Sequence, residues 1–272
     1  MRSRWLIFCN QILQEIMKSL ILITILLFIL SACGEKKAKE SKAEKTISYS
    51  IKKIFPHDNK AFTQGLTVAE GRLFESTGEA GSWIAEVDIA TGQHDKKVIL
   101  DRKYFGEGIT ILNNKIYQLT WQNHIGFIYD LKTFKRIREF RYDHEGWGIT
   151  ADDKNLIVSD GTSKIRFLDT LTLQSVKEII VKEGAEAVGK LNELEFIDGF
   201  IFANQWQSNY ILKIDPATGL VAGRMDLSRL AEKISPLNPS ADVLNGIAYE
   251  KKSKSLLVTG KLWPALFALK IE

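Results

Sequence analysis

The residues best suited to chemistry recur at equivalent positions of a repeated sequence pattern. A first set precedes a glycine, or a glutamate in its place, at the start of a strand-like segment: Gln64, Glu107, Trp147, Asn192 and Asn245. A second set follows at a constant distance in four repeats, and two residues later in the fifth: Gly78, Trp121, Gly161, Trp206 and Lys261. One carboxylate and one lysine among amides and tryptophans are suited to proton transfer on a small, mostly neutral group.

Each of these residues also has an ordinary structural explanation. A glutamate at a strand start is usually a solvated loop charge, and the amides there commonly cap strand ends. The tryptophans could plug a channel, Lys261 could be a surface lysine, and the glycines are expected to serve turn geometry. Only the convergence of both sets on one place favours a pocket for a small molecule or a peptide end.

Other common site chemistries lack their sequence signatures. The four histidines, His57, His94, His124 and His144, do not have the spacing of zinc ligands. There is no G-x-S-x-G nucleophile motif, no P-loop and no dinucleotide-binding glycine pattern. The formal net charge of +4 on 272 residues gives no basic excess for nucleic acid. We therefore predict no cofactor, no metal and no nucleic-acid partner.

The segments that position these residues indicate an all-β fold. From Ser48 onward, short alternating apolar runs are separated by turn residues, and only Leu227–Lys233 suggests a short helix. Each repeat contains this glycine, or the glutamate that takes its place, at one equivalent position: Gly65, Gly108, Gly148, Glu193 and Gly246. Successive positions are separated by 43, 40, 45 and 53 residues. A period of about 40 residues with four strands is typical of a β-propeller blade.

The ends of the repeat region predict how the propeller closes. The fifth repeat has room for three strands, the last of which is Ala265–Glu272, and Ile47–Phe55 is a strand without a blade. We predict a five-bladed β-propeller in which this N-terminal strand of the mature domain completes the last blade. An open β-sandwich is the alternative, but it gives no reason for the period. In a propeller, both sets of candidate residues meet at one mouth of the central channel.

The N-terminal segment has the pattern of a bacterial export signal. Residues 17–33 contain a lysine, an apolar run and small residues that end in Cys33, and Leu30–Cys33 fits the lipobox of a lipoprotein. We predict a signal peptide over 1–32, with Met17 as an alternative start, a charged tether over 33–46 and the propeller domain over 47–272.

An uncleaved membrane anchor is the alternative explanation of this segment. Its apolar run, Leu20–Ala32, is shorter than the roughly 20 residues that cross a bilayer. We therefore favour cleavage before Cys33 and lipidation of that cysteine. Either explanation places the rest of the chain in the cell envelope, attached to the membrane.

Several stretches, taken in order, resemble the plant-type (papaya-like) glutaminyl-peptide cyclotransferases and their bacterial relatives. They cover nearly the whole region after Phe62: FTQGL (62–66), FGEGIT (105–110), LTW (119–121), GWGIT (146–150), LNELE (191–195), ANQW (203–206), LNGIA (244–248) and TGK (259–261). The resemblance implies a five-bladed propeller that cyclises N-terminal glutamine to pyroglutamate without a metal and releases ammonia. It also implies peptides or proteins with N-terminal glutamine as partners, and we expect a monomer.

The same resemblance assigns roles to residues of this chain. The catalytic carboxylate falls on Glu107, which would accept a proton from the attacking amine and return it to the leaving nitrogen. The chemistry of the reaction suggests the remaining roles. Asn192 or Gln64 could donate to the oxyanion, and Asn192 is preferred. Gln64 would then orient Glu107 or the substrate, and Lys261 would tune Glu107 or polarise the amide. The substrate-binding residues implied are aromatic: Phe62, Phe105, Trp121, Trp147 and Trp206.

Three competing explanations remain for the sequence. A propeller without catalytic activity would bind peptide ends or glycans at the same mouth. A metal-dependent lactonase would need several carboxylates around a channel-bound calcium, and these two sets of residues offer one, with Glu193 adjacent. A structural or assembly lipoprotein would have no reason to gather tryptophans at a channel mouth.

Overall fold

Residues 45–272, which the computed structural model describes, form five four-stranded antiparallel sheets and a short hairpin. In chain order the strands are β1 (Tyr49–Pro56), β2 (Thr63–Ala69), β3 (Arg72–Thr77), β4 (Trp83–Val87), β5 (His94–Ile99), β6 (Gly106–Leu112), β7 (Lys115–Thr120), β8 (Ile125–Asp130), β9 (Arg136–Arg141), β10 (Ile149–Ala151), β11 (Asn155–Ser159), β12 (Lys164–Asp169), β13 (Ser175–Ile180), β14 (Lys182–Glu183), β15 (Glu186–Ala187), β16 (Leu191–Ile197), β17 (Phe200–Gln205), β18 (Tyr210–Ile214), β19 (Val221–Asp226), β20 (Leu244–Glu250), β21 (Ser255–Gly260) and β22 (Ala265–Ile271). One helix lies between β19 and β20, α1 (Ser228–Ile234), where the sequence predicted a short helix.

The sheets are the five blades of a β-propeller, as predicted. Blades 1 to 4 are β2–β5, β6–β9, β10–β13 and β16–β19, and each contains consecutive antiparallel strands. Blade 5 contains β20, β21 and β22, and β1 is its outer strand. β1 pairs with β22 from Tyr49 opposite Ile271 to Pro56 opposite Ala265, so the predicted closure by an N-terminal strand is confirmed.

Most of the predictions for the N-terminal segment concern residues before Lys45, which the structure does not describe. The signal peptide over 1–32 lies outside the described residues, as does the tether except for Lys45 and Thr46. Those two residues contact blade 4: Thr46 forms a parallel bridge with Arg224, and the backbone carbonyl of Lys45 accepts the N–H of Arg224 at 3.0 Å. No helix within residues 45–272 is long and apolar enough to cross a membrane.

Short turns connect the strands within each blade. β6 and β7 are joined by Asn113 and Asn114, which both have positive φ, 52° and 58°. A two-residue hairpin loop with two positive φ values favours asparagine, because its short polar side chain tolerates this conformation.

The core lies between adjacent blades. Between blades 1 and 2, for example, Phe74 of β3 packs in one buried cluster with Ile109, Ile116 and Phe127. The outer strands instead expose much of their surface, as in β9 and β13. Burial between sheets holds the five blades in a ring, and the ring fixes where the inner strands begin.

The inner strands, β2, β6, β10, β16 and β20, approach one another closely around the channel. A Cβ atom on Gly148 would lie 2.0 Å from the carbonyl oxygen of Asn192, so this contact requires glycine. The fourth repeat has Glu193 in the glycine's place. Its buried carboxylate accepts the backbone N–H groups of Leu66 at 3.3 Å and Ile247 at 2.7 Å, and it thereby joins blade 4 to blades 1 and 5.

Candidate active site

One mouth of the channel contains a cavity of about 380 Å³ that is walled by aromatic rings, which we call the aromatic cavity. Nine residues line it: Phe62, Gln64, Phe105, Glu107, Trp121, Trp147, Asn192, Trp206 and Lys261. These are the nine catalytic and substrate-binding candidates of the sequence, and the structure brings all of them together. Their individual roles stay predictions.

Irregular pairing at the start of the inner strands aims the polar residues into the cavity. The register between β6 and β7 shifts between Gly106 and Ile109, and Glu107 lies within this bulge. Gln64 lies in the equivalent shift of blade 1, and Asn192 in that of blade 4. A bulge redirects a side chain away from the alternation of a regular strand. The repeat thus places one polar side chain per bulge at the same mouth.

Glu107 is the only carboxylate among the cavity-lining residues, and it is 4% exposed. Gln64 donates a hydrogen bond from Nε2 to Oε1 of Glu107 at 3.1 Å. Burial raises the pKa of Glu107 well above its ordinary value; the positive charge of Lys261 opposes this shift, and the negative charge of Glu145 adds to it. A carboxylate with a raised pKa accepts protons readily near neutral pH.

Lys261 and Asn192 complete the polar part of the aromatic cavity. The Nζ atom of Lys261 lies 4.5 Å from the ring centroid of Phe62, a cation–π contact, and burial lowers the pKa of this amine. Asn192 is buried, and its Oδ1 atom has no hydrogen-bond partner among the described residues. This oxygen is therefore free to accept a hydrogen bond from a group that enters the cavity.

The aromatic side chains form two runs of contacts along the wall. Phe105 contacts Phe62 and Trp121, with ring centroids 6.3 and 5.6 Å apart, and Trp147 contacts Trp206 at 5.4 Å. All three contacts are edge-to-face, a favourable arrangement of aromatic rings. They produce an apolar enclosure around Glu107.

Glu145 joins the two aromatic runs, and the sequence did not identify it as a site residue. Its Oε2 atom accepts the indole N–H of Trp121 at 2.8 Å and that of Trp147 at 2.9 Å. Although burial opposes ionisation, these hydrogen bonds hold the pKa of Glu145 below its ordinary value. The only signal in the sequence was its position two residues before Trp147.

The two glycines of the second set make room for aromatic rings. A Cβ atom on Gly78 would lie 2.4 Å from the ring of Phe105, and one on Gly161 would lie 2.7 Å from the ring of Trp147. Gly161 also has a positive φ of 79°, which fits the expected turn role. Gly78 does not have a positive φ, so the expectation of turn geometry was wrong there: space for Phe105 requires the glycine.

None of the four histidines is among the residues that line the aromatic cavity. His57 contacts Glu75 at 3.3 Å between Nε2 and Oε1, near the closure of the ring. His94 lies 3.9 Å from Asp58. Within residues 45–272, no three His, Cys, Asp or Glu side chains are grouped so that they could hold a metal ion.

The fold and the cavity define a propeller with a buried acid–base group inside an aromatic enclosure. Comparison with known proteins agrees. A sequence model of the glutamine cyclotransferase family matches residues 24–271. Over 222 residues the chain is 41% identical to the glutaminyl-peptide cyclotransferase of Arabidopsis thaliana, covering 80% of this chain and 69% of the relative. The crystal structure of Myxococcus xanthus glutaminyl cyclase is similar with a TM-score of 0.79 at 37% identity, covering 84% of this chain and 98% of that one. The chain belongs to the glutamine cyclotransferase family of enzymes.

Proposed function

We propose that this protein is a glutaminyl-peptide cyclotransferase that converts the N-terminal glutamine of peptides and proteins to pyroglutamate and releases ammonia. The observation that carries this proposal is the position of Glu107, which is buried in the aromatic cavity and held by Gln64 at 3.1 Å. The names of the relatives at 41% and 37% identity support the same reaction.

The reaction needs a proton carrier rather than an enzyme nucleophile. The α-amine of the substrate attacks its own γ-amide carbon, a C–N bond forms, and the bond to the departing nitrogen breaks. Glu107 accepts the proton that the attacking amine loses and donates it to the leaving nitrogen, so no net proton is consumed. Positioned acid–base catalysis of this kind contributes roughly 10²–10⁴-fold to a rate. Because burial raises the pKa of Glu107, the carboxyl group accepts a proton more readily than an exposed carboxylate does.

The neighbouring polar groups stabilise the intermediate. Attack places negative charge on the former carbonyl oxygen, and we assign Asn192 as the donor to this oxygen. The donor would be the Nδ2 group of Asn192, and the place of this residue in the cavity lining beside Glu107 supports the assignment. Gln64 orients Glu107, and Lys261 lowers the pKa of Glu107 through its positive charge.

The aromatic walls hold the substrate in the shape that reacts. A cavity of about 380 Å³ accommodates one amino-acid side chain with its amine, but not a long segment of polypeptide. Phe62, Phe105, Trp121, Trp147 and Trp206 enclose it. Because the walls hold the amine close to the γ-amide carbon, the flexible side chain loses its conformational entropy on binding rather than in the reaction step.

We propose that the reaction is independent of metal ions. The side chains around Glu107 offer one carboxylate, two amides and a lysine, and a lysine ammonium is not a metal ligand. EDTA should therefore leave the activity unchanged, and activity that is lost with EDTA and restored by a divalent ion would contradict this part of the proposal.

The test uses residues 43–272, which form one compact unit, with a peptide that begins with glutamine. We expect the peptide to lose the mass of one ammonia molecule. Peptides that begin with asparagine or with N-acetylated glutamine are the controls, because they lack the correct ring size or a free amine. Glu107→Gln should fold and lose roughly 10²–10⁴-fold in turnover. Full turnover by folded Glu107→Gln would show that Glu107 is not the proton carrier.

We further propose that the enzyme is attached to the cell-envelope membrane through lipidated Cys33. The lipobox Leu30–Cys33 and the charged segment 34–46 support this location. Cys33→Ser should move the protein from the membrane fraction to the soluble fraction of the expressing bacterium. A Cys33→Ser variant that stays in the membrane fraction would contradict the proposal.

A further inference from the structure

A chain of buried amides leads to the carboxylate of Glu107. Asn245 donates from Nδ2 to the backbone carbonyl of Thr63 at 3.0 Å and to Oε1 of Gln64 at 3.2 Å. Gln64 in turn donates from Nε2 to Glu107 at 3.1 Å. Asn245 is completely buried and is not among the residues that line the aromatic cavity.

We propose that Asn245 is a positioning residue, which fixes the direction of the Gln64 amide so that Gln64 donates its N–H group to Glu107. This inference rests on the proposed function, since it assigns Asn245 a part in proton transfer by Glu107.

The direction of each amide follows from the backbone carbonyl of Thr63. A carbonyl only accepts hydrogen bonds, so Asn245 must turn its NH₂ group towards Thr63. The same NH₂ group then meets Gln64, which must present its oxygen. The NH₂ group of Gln64 consequently faces Glu107. Such a network determines which end of each amide is nitrogen and which is oxygen.

The direction matters because a hydrogen bond to a carboxylate stabilises its ionised form. In the observed direction, the N–H group of Gln64 stabilises the ionised form of Glu107, whose charge burial disfavours. In the reversed direction, two oxygens would face each other and Glu107 would have to stay protonated. Asn245 therefore helps keep the proton carrier able to accept a proton from the substrate amine.

The surroundings of Asn245 argue against a role in fold stability alone. Its Oδ1 atom is buried and has no hydrogen-bond partner among the described residues. An unsatisfied buried acceptor is unfavourable for folding. Asn245 lies in the bulge of blade 5, next to Gly246 with φ of 118°, and so reaches Gln64 of blade 1 across the closure of the ring.

Three other ionisable groups act on Glu107 or respond to its charge, and the test leaves them intact. They are Lys261, Glu145 and Tyr142. None of these three groups changes in Asn245 variants. The acid limb of the pH–rate profile is the part in which kcat/KM rises as Glu107 loses its proton. A shift of this limb in an Asn245 variant therefore measures the effect of the amide chain on Glu107.

The experiment measures kcat/KM against pH for residues 43–272 with the glutamine peptide. Asn245→Leu has a similar volume but cannot donate. We expect its acid limb to move to higher pH by about one unit, because a hydrogen bond to a charged group is lost. Activity on the acid side should fall by about tenfold and recover at higher pH. Asn245→Ala removes the same donor with less bulk, and should show the same shift if the leucine variant does not fold.

A double-mutant cycle separates positioning from damage to the fold. In a Gln64→Leu background, Asn245→Leu should produce no further shift, since Asn245 acts through Gln64. Asn204→Leu is the matched control, because Asn204 is also completely buried and accepts the backbone N–H of Gly246 at 3.0 Å. It should lower the melting temperature without moving the acid limb.

The outcomes that overturn the inference differ from those that overturn the proposed function. An active wild type with an unmoved acid limb in both Asn245 variants would overturn the positioning role. So would a shift that persists in the Gln64→Leu background. A folded wild type that never cyclises glutamine peptides would instead overturn the proposed function.

Discussion

The Oε2 atom of Glu145 accepts the indole N–H of Trp147 at 2.9 Å, and it accepts that of Trp121 at 2.8 Å as well. One carboxylate oxygen therefore fixes two walls of the aromatic cavity that belong to different runs of ring contacts. Gln122 donates to the other oxygen at 3.2 Å, so both oxygens are bound. Glu145 also adds negative charge close enough to raise the pKa of Glu107.

Glu145→Gln should weaken substrate binding and move the acid limb to lower pH. The amide oxygen is a poorer acceptor for two indoles, so the walls loosen and KM should rise by about three- to tenfold. Loss of the negative charge should lower the pKa of Glu107, which is the opposite of the shift expected for Asn245→Leu. Steady-state kinetics across pH measure both effects.

Glu139→Gln is the matched control for Glu145. Glu139 lies in β9 of blade 2, is exposed and carries the same charge. Its replacement should leave KM and the acid limb unchanged. Equal shifts in the two variants would show that general charge, rather than contact with the tryptophans, causes the effect.

Lys261→Met should move the acid limb to higher pH. The methionine retains much of the packing on Phe62 but removes the positive charge that lowers the pKa of Glu107. The carboxylate would then stay protonated over a wider range, so kcat/KM below neutral pH should fall by about tenfold. Lys190→Met, near Trp206 at 5.9 Å, is the control and should not shift the limb. A downward shift in Lys261→Met would contradict the assigned electrostatic role.

The repeat predicted the fold and seven of the nine residues that line the aromatic cavity, because a propeller makes position in the repeat equivalent to position around the ring. For this reason the sequence alone predicted that Gln64, Glu107 and Asn192 lie close together. The other two lining residues, Phe62 and Phe105, were expected only from the family resemblance. The closing strand was predictable from the missing fourth strand of the last repeat. These features depend on strand order and period, which the sequence contains directly.

The contacts that came only from the structure depend on side-chain direction outside the strands. Glu145 lies in the connection between blades 2 and 3, where no alternation indicates which way a side chain points. Asn245 was recognised as a member of the first set, but its link to Glu107 requires the rotamers of two buried amides. The role of Gly78 likewise depends on where the ring of Phe105 lies.

His57 and Glu75 should make stability depend on pH. Burial alone would lower the pKa of His57, but the Glu75 carboxylate and the Trp263 carbonyl raise it above 6.5. The stabilisation is therefore complete below the ordinary pKa of histidine and is lost as pH rises through the raised value. His57→Gln should lower the melting temperature most at about pH 6, and less at pH 8 to 9.

His94→Gln is the comparison for His57, because burial lowers the pKa of His94. Its protonation in the unfolded chain opposes folding at low pH, so its replacement should be most favourable there. Melting curves at several pH values distinguish the two. If His57→Gln and His94→Gln changed the melting temperature with the same pH dependence, the assigned direction for one of them would be wrong.

Gly148→Ala should destabilise the ring and reduce activity together. The new Cβ atom would lie 2.0 Å from the carbonyl oxygen of Asn192, a backbone atom that cannot rotate away, so blades 3 and 4 must separate. Overpacking of this kind costs about 1–3 kcal/mol, and the displaced Asn192 lines the aromatic cavity. Gly189→Ala is the control, since its Cβ atom would meet nothing nearer than 3.7 Å. A melting temperature for Gly148→Ala equal to that of the wild type would show that the blades do not approach this closely in solution.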